Sequence, residues 1–343
     1  MPIHIILNGD NAMPSHIIRT LRRGLVLAAA LSAVFQAQSV AHAEDAWPSQ
    51  PIRIIVPFTA GGSTDVLART IGQGLGTLWK QSVVIDNRPG AGGMIGAEVE
   101  AKSAPDGYTL MLASGSMFTV NQYIYKKLPY TAKDFTYITT VASNPMVVAV
   151  APTLPISNVK ELIAYGKTQH PKLNFGSAGI GSQVHMADAA FAGAAGIPMV
   201  HVPYKGEVLA LNDLMADRVQ VVLPNIAAAL PFMKGKTIKV LAVTGDHRSS
   251  AWPDIPTVEE AGLPGFNVTG WFALVAPAGT PANVIQKIQQ DTVKVLAQPD
   301  TRQRLAVLGM DAVGDTPQQL ESRIATESAK WQKVVNTSHI SAN

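Results

Sequence analysis

Short, apolar, β-branched runs alternate with longer segments whose apolar residues fall three and four apart. Ile52, Ile54, Ile55 and Val56 form the first such run and predict a buried strand. Pro57 removes a ladder donor and ends it. Gly61-Gly62 supply a turn open to positive φ. Ser63 or Thr64 can cap a following helix, and Asp65 falls in its first turn. Leu67, Ile71, Leu75 and Leu78 then recur at helical spacing. Strand, glycine turn and helix together aim loop amides and a helix N-terminus at the C-terminal edge of a sheet, a setting suited to an anionic group.

The same device returns downstream. A strand over residues 173–175 leads into Gly176-Ser177-Ala178-Gly179-Ile180-Gly181-Ser182 and a helical run over 183–195. One such turn in each half of the chain can face the other across a cleft. Between and after them the alternation continues. Strands are predicted at 83–85, 108–113, 199–202, 220–223 and 239–243, and helices at 95–103, 159–168, 208–216 and 227–234. Extended segments fall over 135–150, split by Asn144-Pro145, and over 270–276. Three helices, 281–297, 299–308 and 317–336, close the chain. Strands alternating with helices predict parallel α/β sheets, with ligands at the strand ends. Val147–Val150 can pass from one lobe into another. Ser114 and Ser116, at such an end, are candidates for donating to a ligand or for ordinary turn chemistry.

Residues 1–43 read as a leader. Arg19, Arg22 and Arg23 form a basic start, an apolar stretch runs over 24–35, and Ala41-His42-Ala43 fits a cleavage site. The stretch is shorter than the roughly 20 residues a membrane span needs. Met13 is an alternative start. Arg22-Arg23 invites a twin-arginine reading, but its neighbours fit that pattern poorly and general secretion is favoured. The leader holds three of the 27 Lys and Arg and one of the 24 Asp and Glu, so the rest of the chain carries a net charge of +1. That balance gives no nucleic-acid or membrane footprint. About 300 residues remain, enough for two lobes with their own cores. The absence of cysteine excludes disulfides, a lipoprotein anchor and thiolate metal sites.

The chemistry-bearing motifs are mostly absent. No Gly-Lys-Ser/Thr follows either glycine turn, and no dinucleotide fingerprint, nucleophile elbow or H-E-x-x-H occurs. His185 and Asp188 lie one helical turn apart with His201 further on, but structural histidines are the favoured reading over a metal site. No cofactor and no catalytic constellation are expected. What remains is a set of polar strand ends. Lys205 in Tyr204-Lys205-Gly206 can meet a carboxylate or sit as a surface lysine in a turn. Asn225 can offer donor and acceptor to a ligand or cap the helix that follows.

Several runs together carry a family pattern. They are Trp47-Pro48 with Pro51-Ile52, PFTAGGSTDVLAR from Pro57, VIDNRPGAGGMIGAE from Val84, APDGYTL from Ala104 and KLPYTAKDF from Lys127. NFGSAGIGS from Asn174 follows, then His185, HVPYKG from His201 and WFALVAPAGTP from Trp271. In this order and spacing the chain resembles the Bug (TctC-like) extracytoplasmic solute-binding receptors of tripartite tricarboxylate transporters. The resemblance implies a type II periplasmic binding protein: two α/β lobes joined by two crossing strands, with a ligand cleft between them. Lobe one would comprise residues 44–145 and 271–343, and lobe two residues 146–270, with Val147–Val150 and Trp271–Val275 as the crossings. It implies a periplasmic, monomeric, non-enzymatic protein that captures a small organic carboxylate and hands it to membrane permease subunits. A receptor of the same fold feeding a membrane sensor kinase is the alternative.

The family holds its carboxylate mainly with backbone amides, hydroxyls and bridging waters. Carried onto this sequence, the ligand-binding residues would be Phe58, Thr59, Ala60, Gly61, Gly62, Asp65, Ser114, Ser177, Ala178, Gly179, Ser182, Tyr204, Lys205, Gly206 and Asn225. One departure bears on the ligand. Many family members carry an acid directly before the Asn225 position, where this chain has Pro224. That implies weaker selection for an amino group, and favours a dicarboxylate, tricarboxylate or aromatic acid over an amino acid.

Overall fold

A computed structural model describes residues 47–337 and 340–342. The leader expected over residues 1–43 lies outside them. Within the unit Gln50–Asn343 two sheets form, each flanked by helices. The chain begins with β1 (Ile52–Val56), α1 (Ser63–Trp79), β2 (Val83–Asn87), α2 (Met94–Ala101) and β3 (Thr109–Ser114). Short helical turns at Ser116–Thr119 and Asn121–Ile124 precede β4 (Phe135–Pro145). Next come β5 (Val147–Val150), α3 (Val159–Thr168), β6 (Leu173–Ser177), α4 (Gln183–Ala195), β7 (Met199–Pro203), α5 (Glu207–Met215), β8 (Val221–Val222), α6 (Ile226–Lys234) and β9 (Lys239–Val243). The chain ends with β10 (Thr269–Pro277), α7 (Ala282–Ala297), α8 (Pro299–Val307), β11 (Asp311–Ala312) and α9 (Pro317–Thr337).

The first sheet has the order β11-β4-β10-β3-β1-β2, and the second β7-β6-β8-β5-β9. Parallel pairing joins β1 to β2 and β3, and β6 to β7 and β8. The long strands β4 and β10 pair antiparallel, as does β5 with β8 and β9. Ile52, Ile54, Ile55 and Val56 are fully buried, as expected for a parallel strand covered on both faces. In α1, Leu67, Ile71 and Leu75 are buried but Leu78 is 42% exposed. Trp79, one turn after Leu75, takes the inward place, and its indole Nε1 donates to Asp291 Oδ2 at 2.9 Å.

The passages between sheets are short and specific. Only Met146 separates β4 in the first sheet from β5 in the second. Val147–Val150 thus lies wholly in the second sheet. Trp271–Val275 lies wholly within β10 of the first, and the return passage runs over residues 244–268. The two passages meet at Thr244, which is fully buried. Its hydroxyl accepts from Met146 N at 2.9 Å and donates to Val268 O at 2.6 Å. Its backbone bonds the same two residues, Thr244 N to Met146 O and Val268 N to Thr244 O, each at 2.9 Å. The final helix spans both bodies: Leu320 and Ile324 join the apolar cluster beside the first sheet, Trp331 and Val335 that of the second.

Candidate functional site

The strand-end loops of both sheets meet in one crevice. The two glycine turns do not face one another there; each meets a different loop of the opposite body. The turn after β1 lies against the loop before α5. Phe58 is buried and Ala60 exposed. A Cβ added to Gly206 would collide with Thr59 Oγ1, so glycine at 206 permits this approach. Thr59 Oγ1 is itself buried with no hydrogen-bond partner among the described residues. The second turn lies against the loop before α2. There Gly92, at φ +60, leaves no room for a side chain beside Ile180 O, and Tyr125 Oη donates to Ile180 O at 2.8 Å.

A polar chain crosses the crevice between the bodies. Ser63 N, at the start of α1, donates to Glu207 Oε1 at 2.9 Å. Glu207 Oε2 accepts from Asn225 N at 3.0 Å and from Asn225 Nδ2 at 2.9 Å. Asn225 Oδ1 accepts from Gln183 Nε2 at 3.2 Å and from Asn144 Nδ2. Gln183 Oε1 accepts from Ser114 Oγ at 3.1 Å and from Trp271 N at 3.3 Å. Ser63 Oγ accepts from Ala228 N in the first turn of α6. Helix N-termini from both bodies therefore converge on one carboxylate, that of Glu207, an arrangement that favours negative charge. Burial pushes the Glu207 pKa up, and the hydrogen bonds from Ser63 and Asn225 oppose that rise.

The other expected site residues divide by environment. Asp65 serves its own loop, accepting from Gly61 N at 2.9 Å, from Arg69 at 2.9 and 3.0 Å and from Asn87 Nδ2 at 3.1 Å. Burial alone would raise its pKa, but those donors outweigh burial and hold it below the ordinary value. Gly62 N donates within its own turn, to Thr59 O at 3.4 Å. Ser177 Oγ bonds Gly179 N at 3.1 Å and His201 Nε2 at 2.6 Å, and Ser182 Oγ caps α4 through His185 N at 3.2 Å. Ala178 is buried beside them. Tyr204 Oη donates to Asp213 at 2.7 Å, and Lys205 is exposed. Phe58, Thr59, Gly62, Ser114, Gly206 and Asn225 thus lie along the crevice with Ser63, Asn144, Gln183 and Glu207. Gly115, Ser116, Gln183, Met146 and Trp271 line a small cavity of about 10 Å³, room for about one water.

The histidines have a structural role. His185 and His201 stack at 3.9 Å between centroids, and Phe175 stacks on His201 at 4.8 Å. Burial, with His201 adding a smaller effect, pushes His185 down to about 3, and burial pushes His201 down to about 4. Both are neutral ring acceptors or donors at ordinary pH, and His185 Nδ1 accepts from Gly181 N at 3.1 Å.

Sequence reasoning missed Glu207, Gln183, Asn144 and Gly92. Glu207 and Gln183 open helices, where an acid or amide is unremarkable in sequence. Their adjacency to the Tyr204-Lys205-Gly206 and Gly179–Ser182 turns was the available signal. Glu207 bears on the expectation drawn from Pro224, because it sets a carboxylate against Asn225 from α5.

Comparisons with known proteins agree with this architecture. The chain is 35% identical over 293 residues to Protein BugT of Bordetella pertussis, covering 85% of this chain and 90% of that protein. Its fold is similar to R. palustris Rpa4515 with adipate, at TM-score 0.84 and 34% identity, covering 86% of this chain and 99% of that one. It is also similar to MatC (Rpa3494) from Rhodopseudomonas palustris with bound malate, at TM-score 0.80 and 30% identity, covering 84% of this chain and 100% of that one. Residues 67–340 match the family described as the Tripartite tricarboxylate transporter family receptor, TctC. This chain belongs to that family of Bug/TctC-type solute-binding receptors, which are binding proteins and not enzymes.

Proposed function

We propose that this receptor captures a small organic carboxylate in the crevice and delivers it in the periplasm to permease subunits of a tripartite tricarboxylate transporter. The ligand class is a di- or tricarboxylate or an aromatic acid. One observation carries the reading: donors from both bodies, Ser63 N on one side and Asn225 N and Nδ2 on the other, converge on the protein's own Glu207 carboxylate within 3.0 Å, so the facing helix ends are built to hold such a group. A crevice organised in this way stabilises a carboxylate with backbone and amide donors. The similar proteins solved with adipate and with malate support the same ligand chemistry.

Residues 44–145 with 271–343 act as one lobe and residues 146–270 as the other. They hinge where Met146 and Thr244 bond, and ligand shifts the population from open to closed. Thr59, Ser114, Gly206 and Asn225 contribute contacts to the ligand, with the second glycine turn at Ser177, Gly179 and Ser182 shaping the far wall. The working form is a monomer, released after cleavage near Ala43. The test is a thermal-shift screen of the leader-free chain against organic acids, since a ligand that binds only the native state raises its stability by mass action. One or more carboxylates should raise the melting temperature by several degrees, while amines and neutral sugars leave it unchanged. A chain stabilised by sugars and by no acid would refute the reading.

A further inference from the structure

Glu207 is a buried carboxylate with Ser63 N, Asn225 N and Asn225 Nδ2 directed at it, donors that come from both sides of the crevice. Its position is fixed by the tight approach of Gly206 to Thr59 and by its place at the start of α5. A second carboxylate brought to the same end would find Ser63 N and Asn225 already engaged and would face a like charge. Asn144 Oδ1, one residue away in the network through Asn225, is buried without a partner among the described residues. This end of the crevice therefore presents acceptors. Thr59 Oγ1, a buried hydroxyl without a partner among the described residues, remains to donate elsewhere in the crevice.

We infer that Glu207 determines ligand specificity: as a built-in carboxylate it fills one anion seat of the crevice. The receptor then takes a ligand with a single carboxylate, whose uncharged or hydrogen-bond-donating end turns toward Glu207 and Asn144. This rests on the carboxylate-capture reading but replaces its di- and tricarboxylates with monocarboxylates, aromatic monoacids included. The selection works by denial as much as by attraction, because a diacid must leave its second carboxylate unpaired beside Glu207.

The test compares the leader-free wild type with Glu207→Ala and Glu207→Gln by calorimetric titration. The probes are two pairs of matched shape, hexanoate with adipate and benzoate with terephthalate. The wild type should bind the monoacid of a pair more tightly than the diacid. Glu207→Ala, which frees Ser63 N and Asn225, should gain about tenfold or more for the diacid while the monoacid changes little. Glu207→Gln keeps the shape without the charge and should move the ratio in the same direction, which preserves the test if the alanine variant fails to fold. A wild type that prefers the diacids, or a ratio unmoved in the folded variants, overturns the role of Glu207 and leaves carboxylate capture standing. Binding of none of the four acids by any of the proteins overturns both.

Discussion

Ser63 Oγ accepts a hydrogen bond from Ala228 N at 3.1 Å, so a hydroxyl at the start of α1 caps α6 on the opposite side of the crevice. The same residue's backbone N–H donates to Glu207. One serine thus satisfies two groups of the other body, and the closed arrangement depends on helix ends that complete one another. Substituting Ser63 by alanine keeps the backbone donor and removes the hydroxyl that caps α6 and also bonds the Glu207 carboxylate. Loss of an N-cap side chain costs about 0.5–2 kcal/mol. Ser63→Ala should lower the denaturation midpoint correspondingly and weaken acid binding several-fold. An unchanged midpoint together with unchanged affinity would show that this contact does not contribute to closure.

Gly92 tests whether the approach of the two bodies is needed at all. Its φ of +60 and its position against Ile180 O leave no place for a methyl group. Gly92→Ala should fold, since the residue lies in the short helical turn Ala91–Gly93 outside both sheets, but it should hold the crevice open. Small-angle scattering should then report a larger radius for the variant in the presence of ligand, and calorimetry a loss of affinity of about tenfold or more, in line with the differential affinity that closure supplies. Wild-type affinity in a folded Gly92→Ala would mean that binding does not require the closed form.

Much of the fold was legible because strong β-branched runs bounded by glycine and proline leave few alternatives. The strand at Lys239–Val243 falls over the residues its sequence indicates, and the helix at Ala282–Ala297 begins one residue after the expected start. The helical turns at Ser116–Thr119 and Asn121–Ile124 and the two-residue β11 were not legible, because four residues or fewer carry no periodicity. Leu78 lies on the helix its spacing indicates, but Trp79 takes the inward contact, because helical spacing alone does not say which of two apolar neighbours packs inward. In the crevice, Asn225 and Ser114 stood out as polar strand ends. Glu207 did not, because its partner Ser63 lies 144 residues away, and only the folded chain brings the two together.

Glu100 makes stability depend on pH. It is fully buried on α2, and its carboxylate oxygens have no hydrogen-bond partner among the described residues. Burial raises its pKa from 4.5 to about 8, against a smaller opposing effect of Arg53. The folded state therefore holds the proton more tightly than the unfolded chain. Its contribution is fully present below pH 4.5 and is lost as pH rises through about 8. Glu100→Gln cannot ionise, so its stability should fall less than wild type between those limits. The difference should grow toward pH 8 by up to about 1.4 kcal/mol per pH unit. Parallel pH profiles of the two proteins in chemical denaturation would contradict this.

A crystal structure of the leader-free chain with its best-binding acid decides whether one crevice grips a carboxylate from both sides. The acid should lie between the two sheets, its oxygens within hydrogen-bond distance of donors from the loop after β1 or β3 and, at the same time, of donors from the loops around β6, β7 or β8. An acid seated outside the crevice, or held by one body alone with the other turned away, would contradict it.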